Sequence, residues 1–451
     1  MTDEVDVAGR VERPPVVRAA TDSDAARTRR AWPVVWVLMT VYAVNILDRQ
    51  IMSMLGNKIS LDLGLNDSQL GLLGGLGFSA VYFLFALPWG WIADRPHASR
   101  LWVISGALAV WSSMTAFCGL AQSFGQLLLG RMGVAAGEAG CVAPAQSLIA
   151  EAVPRAHLAR ALAVFSLGVP LGSFVGRALG GGLSDAVGWR NTFFFVGAPG
   201  LLLAVLLLLV FKDGGPRALQ PTVPRLREPT FRKAIGQILR SRTIIYIALG
   251  NVLTSALNAG MGFWGMMHFQ RNLGLTAGET GLWLGLQGGL TGLLGTVLGG
   301  WVADRFGAQQ PRHYMTPAVV GMLVAPPLLL LTWSTNIWWA AILLMAIPAM
   351  SDNLTYGGAG AAKQRLLTSD VRASATAMVS MITILVGSGG GVTLLGLASD
   401  VVRSHLPATA APHESIRYVL MGSAFLFVLP AFFYWRAGHH VESELARFER
   451  A

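Results

Sequence analysis

The chain of 451 residues is strongly apolar and sparsely charged, with 53% hydrophobic and 13% charged residues. A soluble protein of this length needs a charged exterior, so this composition excludes an ordinary soluble protein and favours a membrane protein. The 53 glycines suit closely packed membrane helices. Basic loops on one side of a membrane, attracted to anionic lipid headgroups, account for the net charge of +10. No nucleic-acid partner is therefore expected.

Apolar segments long enough to cross about 30 Å of hydrocarbon recur along the whole chain. We predict an all-α integral membrane protein with twelve transmembrane helices in two pseudo-symmetric six-helix halves. The predicted spans are residues 33–55, 68–92, 101–121, 126–149, 159–182, 189–211, 243–268, 278–302, 314–333, 336–362, 374–397 and 415–436. The predicted domains are a cytoplasmic tail (1–31), an N-terminal half (32–211), a proline-rich basic linker (212–242), a C-terminal half (243–436) and a second cytoplasmic tail (437–451).

The distribution of Lys and Arg predicts the orientation, because retained basic loops stay in the cytoplasm. With the N-terminal tail inside, few basic residues fall in the outer loops; they are Lys58, Arg190, Arg271, Arg403 and Arg417. Both termini are then cytoplasmic. The opening residues lack an apolar core, which predicts a tail and not a cleaved signal peptide. The bias towards Arg, Ala and Gly suggests a bacterial source, so we expect a multi-pass protein of the inner (plasma) membrane.

One loop sequence occurs twice, which indicates an internal duplication. Residues 90–95 read Gly-Trp-Ile-Ala-Asp-Arg, and residues 300–305 read Gly-Trp-Val-Ala-Asp-Arg. Each copy follows the second span of its half. The aspartate can accept hydrogen bonds from a neighbouring helix N-terminus, and the arginine can pair with an acid. We predict a conformational latch on the cytoplasmic side, formed by Asp94, Arg95, Arg100, Asp304 and Arg305.

These loops, residues 131–137 and the Gly/Pro-rich fifth span resemble the major facilitator superfamily over essentially the whole chain. Shorter stretches resemble its spinster-like family; they are residues 45–50, 68–73, 137–140, 167–172 and 188–190. The resemblance implies a bacterial member of a family that carries lysophospholipids and sphingoid phosphates. It also implies alternating access, with carrier action linked to protons. Fold and family alone do not define the substrate.

Four ionisable residues inside predicted spans are candidate functional groups, because such residues are costly in a membrane and usually face a cavity or a partner. Asp48 and Arg49 on span one are offset by about 100°, so they can serve different neighbours. Arg131 and Glu138 on span four lie on nearly the same face, about 10.5 Å apart in rise. We predict one charge cluster facing a central cavity. Desolvation favours a neutral carboxyl and a nearby arginine an ionised one, so Asp48 and Glu138 are the predicted proton-exchanging groups.

Further polar positions extend the predicted substrate site into the second half. The full set of substrate or charge-cluster residues is Asn45, Arg49, Arg131, Asn251, Asn258, Gln287 and Asp352. Arg177, on the fifth span, is another ionisable residue in an apolar segment. Static ion pairs and hydrogen bonds between helices remain alternative roles for these residues.

Three functions fit this pattern. The first is a proton-coupled secondary active transporter of an anionic, lipid-like amphiphile; the second is a symporter or exporter of small organic anions such as aromatic or sugar acids. The third is a membrane receptor or scaffold that transports nothing. The chain contains no ATP-binding phosphate loop, zinc-protease motif or nucleophile elbow. We therefore expect no enzyme activity, catalytic residue, cofactor or metal.

The expected partners are a small-molecule or lipid substrate, protons and membrane lipids. A monomer is expected, because two halves enclose a pathway without a second chain. The two cysteines lie in apolar segments and are expected to be buried free thiols.

Overall fold

The computed structural model describes residues 15–93, 99–210, 231–302, 305, 310–368, 371–407, 409, 411 and 413–450. Within these residues the regular structure is helical, and no strand occurs. The helices are α1 Pro15–Leu63, α2 Asp67–Gly74, α3 Leu76–Ala93, α4 Arg100–Gly119, α5 Phe124–Glu138, α6 Val142–Ala152, α7 Arg155–Ser166, α8 Gly168–Val210, α9 Phe231–Arg240, α10 Arg242–Arg271, α11 Ala277–Val302, α12 Thr316–Ser334, α13 Trp338–Arg365, α14 Arg372–Ile382, α15 Gly390–His405, α16 Glu414–Phe425 and α17 Val428–Arg450. A 3-10 helix, Pro311–Tyr314, precedes α12, and a π-helix, Thr383–Gly389, joins α14 to α15.

By length and composition, nine helical segments of the described residues can cross a membrane, so the chain is a multi-pass membrane protein. They are Ala31–Leu63, Asp67–Ala93, Arg100–Gly119, Ala156–Leu209, Arg242–Arg271, Ala277–Gly299, Thr316–Ser334, Ser374–His405 and Glu414–Arg447. The segment Ala156–Leu209 has 54 residues, far more than the roughly 20 that one crossing needs. Its backbone leaves the helical conformation at Gly188, where φ is 79°. The number of crossings stays a prediction.

The first helix is longer than its predicted span at both ends. Helix α1 runs from Pro15 to Leu63, whereas its apolar stretch predicted residues 33–55. The helix continues through polar residues beyond the apolar stretch and ends where Gly64 takes the left-handed conformation, with φ 63°. Glycine is favoured there because it has no Cβ to clash. The length of the apolar stretch therefore underestimates the length of this helix.

Predicted spans two, four, five and twelve each consist of two helices separated by a break, whereas in span eleven the π-helix connects α14 to α15 without a break. In span four, α5 ends at Glu138 and a turn leads into α6. The amide of Gly140 bonds to the carbonyl of Gly137, which leaves the carbonyl of Ala136 without that partner. The indole of Trp89 on α3 donates to this carbonyl over 2.7 Å. The break is thus stabilised, and it places Glu138 at a helix end.

Two aspartates connect the part of the chain before residue 211, the N-terminal part, to the part after residue 230, the C-terminal part. Asp185 of α8 accepts a hydrogen bond of 2.7 Å from the amide of Gly278, at the start of α11. Asp400 of α15 accepts one of 2.8 Å from the amide of Ser68, at the start of α2. A carboxylate at a helix N-terminus is stabilised by the free amides and by the helix dipole. Each part therefore supplies a capping aspartate to a helix of the other.

Arg271, near the end of α10, strengthens the same contact. Its Nη1 lies 2.9 Å from Oδ1 of Asp67, and its Nε donates to Oδ1 of Asn57 over 2.9 Å. Its Nη2 donates to the hydroxyl of Ser60 over 3.2 Å. Asp67 also accepts a hydrogen bond of 2.7 Å from the hydroxyl of Ser399. One end of the two parts is thus held together by a charged network, which we call the inter-part network.

The two cysteines, Cys118 on α4 and Cys141 before α6, are free thiols. Both side chains are fully shielded from solvent. The expectation of two buried free thiols is confirmed.

We predict that Asp400→Asn loosens the inter-part network. The change removes the charge at the N-terminus of α2, which costs about 1–2 kcal/mol and shifts a two-state equilibrium by roughly fivefold or more. In a Ser60→Cys background, a water-soluble maleimide should label the new cysteine roughly fivefold faster when Asp400→Asn is present. Glu442→Gln, an exposed position on α17, is the matched control. An unchanged labelling rate in the Asp400→Asn variant contradicts the prediction.

Candidate functional site

Two ion pairs join α1 to α5 inside the N-terminal part. The Nε of Arg49 donates to Oε2 of Glu138 over 2.6 Å, and Nη1 of Arg131 lies 3.6 Å from Oδ1 of Asp48. Asp48, Arg131 and Glu138 are at most 2% exposed. Consecutive residues on a helix point about 100° apart, which is why Asp48 and Arg49 meet different partners. The four predicted charges are brought together as two separate pairs.

The pair of Asp48 and Arg131 contains several polar atoms that lack a hydrogen-bond partner among the described residues. The hydroxyl of Thr115 on α4 donates to Oδ2 of Asp48. Oδ1 of Asp48 and two nitrogens of Arg131, Nε and Nη1, have no hydrogen-bond partner among the described residues. A separation of 3.6 Å is too long for a hydrogen bond, so this pair is held by charge attraction.

An aromatic ring lies beside both arginines. The centroid of the Phe78 ring on α3 is 5.5 Å from Cζ of Arg49 and 5.0 Å from Cζ of Arg131. The Tyr82 ring, one turn further along α3, is 4.8 Å from Cζ of Arg49. A cation over an aromatic face gains about 2 kcal/mol or more when water is excluded. These rings therefore stabilise two like charges in an apolar setting.

The pair of Arg49 and Glu138 contains a carboxylate that is well shielded from solvent. Glu138 is fully buried, and its Oε1 has no hydrogen-bond partner in the described structure, whereas the Arg49 side chain is 27% exposed. A buried charge is costly unless it is paired and fully hydrogen-bonded. Protonation of Glu138 removes its charge and releases Arg49 from the pair.

A separate cavity of about 600 Å³ lies between α8 and helices of the C-terminal part. Its walls are mainly apolar and include Phe174, Met266, Trp333 and Phe427. Its polar lining residues are Ser173, Arg177, Asn258, Gln287, Thr291, Thr296 and Asn353. The cavity thus combines a large apolar surface with one arginine and several amide and hydroxyl groups.

The predicted substrate residues do not form one group. Asn258 and Gln287 line the cavity, whereas Arg49 and Arg131 belong to the ion pairs and are absent from its lining. Asn45 lies one turn before Arg49 on α1; it is buried, and neither atom of its amide has a partner among the described residues. The structure therefore separates a charged site in the N-terminal part from a cavity between the two parts.

Two further predicted residues lie elsewhere. Oδ1 of Asn251 accepts a hydrogen bond of 2.8 Å from the hydroxyl of Tyr434 on α17. This contact between two helices is the alternative role that the sequence left open for a polar residue in a span. Asp352 belongs to α13, and its side chain lies outside the described structure.

The predicted latch is described only in part. Asp94, Arg95 and Asp304 lie outside the described residues, and Arg305 is exposed beyond the end of α11. Arg100, at the start of α4, forms an ion pair with Glu151 of α6. This contact lies within the N-terminal part. The latch function stays a prediction.

Sequence reasoning missed two polar contacts near these sites. Thr115 bonds Asp48, and Gln50 accepts a hydrogen bond of 3.0 Å from Nε of Arg177. Thr115 and Gln50 are polar residues inside apolar segments. That pattern marks a candidate but does not show which helix the side chain faces.

Comparisons with known proteins place this geometry in a family. The model of the Major Facilitator Superfamily matches residues 38–392. An MFS-type efflux pump of Mycolicibacterium smegmatis is 32% identical over 423 residues, which are 93% of this chain and 96% of that protein. Protein spinster homolog 1 of Homo sapiens is 25% identical over 426 residues, which are 88% of this chain and 78% of that protein. The predicted resemblance to spinster-like proteins is confirmed.

Solved structures agree with the sequence relatives. A bacterial homolog of the human lysosomal transporter Spinster, in an inward-facing and unoccupied conformation, matches with a TM-score of 0.82 at 26% identity. The match covers 92% of this chain and 98% of that one. The nucleoside transporter NupG matches with a TM-score of 0.70 at 12% identity, which is a likeness of fold alone.

The assignment of Arg49 to Glu138 and of Asp48 to Arg131 predicts which charges are energetically coupled. Arg49→Gln or Glu138→Gln alone should lower the melting temperature of the purified protein, because breaking a buried pair costs about 3–5 kcal/mol. The double variant should recover much of this loss, since neither charge is left alone. Arg49→Gln combined with Asp48→Asn is the matched comparison and should show a smaller coupling, because Asp48 faces Arg131. Equal coupling in the two combinations would show that the assigned pairs are wrong.

Proposed function

The chain belongs to the Major Facilitator Superfamily, and from this premise we propose that it is a proton-coupled secondary transporter working by alternating access. Its proposed substrate is an anionic amphiphile of the lysophospholipid or sphingoid-phosphate type. The pair of the partly exposed Arg49 and the buried Glu138 is the observation that carries the proposal. Glu138 is shielded from water while its partner is 27% exposed, so a change in access on one side can change the protonation of the carboxylate.

The proposed topology has twelve crossings, with both termini in the cytoplasm of a bacterial cell and the protein in its inner membrane. The break at Gly188 supports counting Ala156–Leu209 as two crossings. Helices α5 and α6 together, and α13, supply the crossings that length and composition alone do not count. The proposed halves are residues 32–211 and 243–436, joined by the basic linker. The excess of Lys and Arg on one side supports this orientation.

In this orientation the inter-part network lies at the outer face of the membrane. Ion pairs and capped helix ends close the two parts against each other there. The proposed state is therefore inward-facing. The solved relative with a TM-score of 0.82, described as inward-facing, supports this assignment.

The proposed coupling step is proton exchange at the two ion pairs. When Glu138 takes up a proton, Arg49 loses its counter-charge and α1 is held less tightly to α5. Asp48 and Arg131 form a second pair that responds in the same way. A few kcal/mol gained or lost in buried charge pairing is enough to shift a two-state carrier between its conformations.

The proposed substrate class follows from the cavity and from the family resemblance. A wall of apolar and aromatic side chains accommodates a hydrocarbon chain, and polar groups at few positions accommodate a head group. The spinster-like resemblance implies lipid-like cargo. A small organic anion without a hydrocarbon chain would leave much of the apolar wall uncovered.

We predict that Glu138→Gln abolishes proton-coupled transport. Proteoliposomes with an entrapped pH-sensitive dye and an imposed pH gradient should show proton flux when a lysophospholipid is added to the wild type. The Glu138→Gln variant should show none, because the amide cannot take up a proton at neutral pH. Protein-free liposomes and the exposed variant Glu442→Gln are the controls.

Two outcomes contradict this proposal in different ways. Full gradient-driven flux in the Glu138→Gln variant would remove Glu138 from the coupling mechanism. Flux with aromatic or sugar acids, but none with lysophospholipids or sphingoid phosphates, would replace the lipid-like substrate by a small organic anion.

A further inference from the structure

One arginine of the cavity has no acidic partner in the described structure. Arg177, on α8, donates from Nε to Oε1 of Gln50 over 3.0 Å. No described carboxylate forms an ion pair with it, and neither Nη1 nor Nη2 donates to a described residue. Nη1 lies beside the cavity-lining residue Gly288, where an added Cβ would be 3.0 Å away. The hydrogen bond to Gln50 fixes the guanidinium and leaves its two outer nitrogens available.

The amides nearby also lack acceptors. Nδ2 of Asn258 and Nε2 of Gln287 are buried, and neither has a hydrogen-bond partner among the described residues. Both residues line the same cavity as Arg177. Buried donors without acceptors are costly, and native structures normally provide an acceptor for them. An anionic group bound in the cavity would offer acceptor oxygens to donors of this kind.

The same cavity has room for an apolar chain. Helix α11 presents Gly289 and Gly292 to the cavity, and a Cβ added at either position meets nothing within 4 Å. Phe174, Met266 and Trp333 supply apolar surface around this space. A cavity of about 600 Å³ is within the usual range for small-molecule sites. Its shape and chemistry suit a molecule with one anionic end and one apolar end.

The two arginines of the ion pairs with Glu138 and Asp48 are not available for this task. Arg49 is bonded to Glu138, and Arg131 is paired with Asp48. Neither lines the cavity. An anion that approached them would compete with a carboxylate already present.

We propose that Arg177, with Asn258 and Gln287, binds the phosphate or carboxylate head group of an anionic amphiphile whose chain lies against the glycine face of α11. Nη1 and Nη2 form a planar fork that matches two oxygens of such a group. Arg49 and Arg131 then belong to the proton-exchanging pairs and make no contact with the substrate head group. This assignment rests on the proposed transport function and adds the site at which its substrate is held.

Binding of short amphiphiles to the protein in nanodiscs of neutral phosphatidylcholine tests the assignment. The probes are octyl phosphate, octanoate and 1-octanol, measured by calorimetry against empty nanodiscs. Arg177→Gln should weaken binding of the preferred anion by about tenfold or more, because a charge-assisted bidentate contact is lost. Binding of 1-octanol should not change. The anion affinity of Arg177→Lys should fall between that of the wild type and that of Arg177→Gln, since lysine keeps the charge but lacks the planar fork of nitrogens.

Control variants separate a loss of the site from a loss of the fold. Arg403→Gln removes an exposed arginine of α15 and should bind all three probes as the wild type does. Gly292→Leu should weaken binding of the anion and of 1-octanol together, because its side chain fills the space for the apolar chain. Gly106→Leu, on an open face of α4, should change neither. The preference between octyl phosphate and octanoate identifies the head group.

The assignment is wrong if neither anion binds the wild type, or if Arg177→Gln binds the anion as tightly as the wild type does. Proton flux in proteoliposomes distinguishes this failure from failure of the proposed function. Flux that persists with an unchanged KM in Arg177→Gln overturns the site and leaves the transport function standing. Arg177-dependent binding without any flux in the wild type overturns the transport function and leaves the site standing.

Discussion

Three consecutive residues of α1 each hold a different neighbour, and the interior of the N-terminal part is built around them. Asp48 faces Arg131 and Thr115, Arg49 bonds to Glu138, and Gln50 bonds to Arg177 of α8. A helix turns by about 100° per residue, so three adjacent side chains point in three directions. One short stretch thereby connects α4, α5 and α8 by polar contacts in an apolar setting, where such contacts are costly to break.

This arrangement separates the carboxylate–arginine pairs from the cavity that contains Arg177, while one helix, α1, contacts both. The carboxylates lie with the paired arginines of the N-terminal part, and the cavity between the two parts contains the arginine that lacks an acidic partner in the described structure. A proton and an anion therefore need not compete for the same cation. The bonds of Arg49 and Gln50 begin at adjacent positions of one rigid helix. In the proposed mechanism, a shift of α1 that follows a change at one site also moves the residue of α1 that contacts the other, which is a physical route for coupling.

Much of the fold and part of the site could be predicted from the sequence, for identifiable reasons. Apolar length located the long apolar helices, and the cost of burying charge singled out Asp48, Arg49, Arg131 and Glu138. The pattern could not assign partners, since pairing depends on which helices pack together. It also missed the capping aspartates Asp185 and Asp400, although each follows a serine just beyond the end of a predicted apolar span. Helix breaks such as the one after Glu138 depend on tertiary contacts like that of Trp89, which no local pattern reveals.

The burial of both cysteines has a practical consequence for following the movement of this protein. Cys118 and Cys141 are shielded in the packed interior, and a thiol reagent in water reacts with exposed thiolates. The natural chain therefore offers a silent background for spectroscopic probes. Spin labels or fluorophores attached at chosen surface positions on the two parts would report distances between them without prior removal of native thiols. Because the native thiols are buried, the motion of the two parts can be recorded in a protein that carries few substitutions.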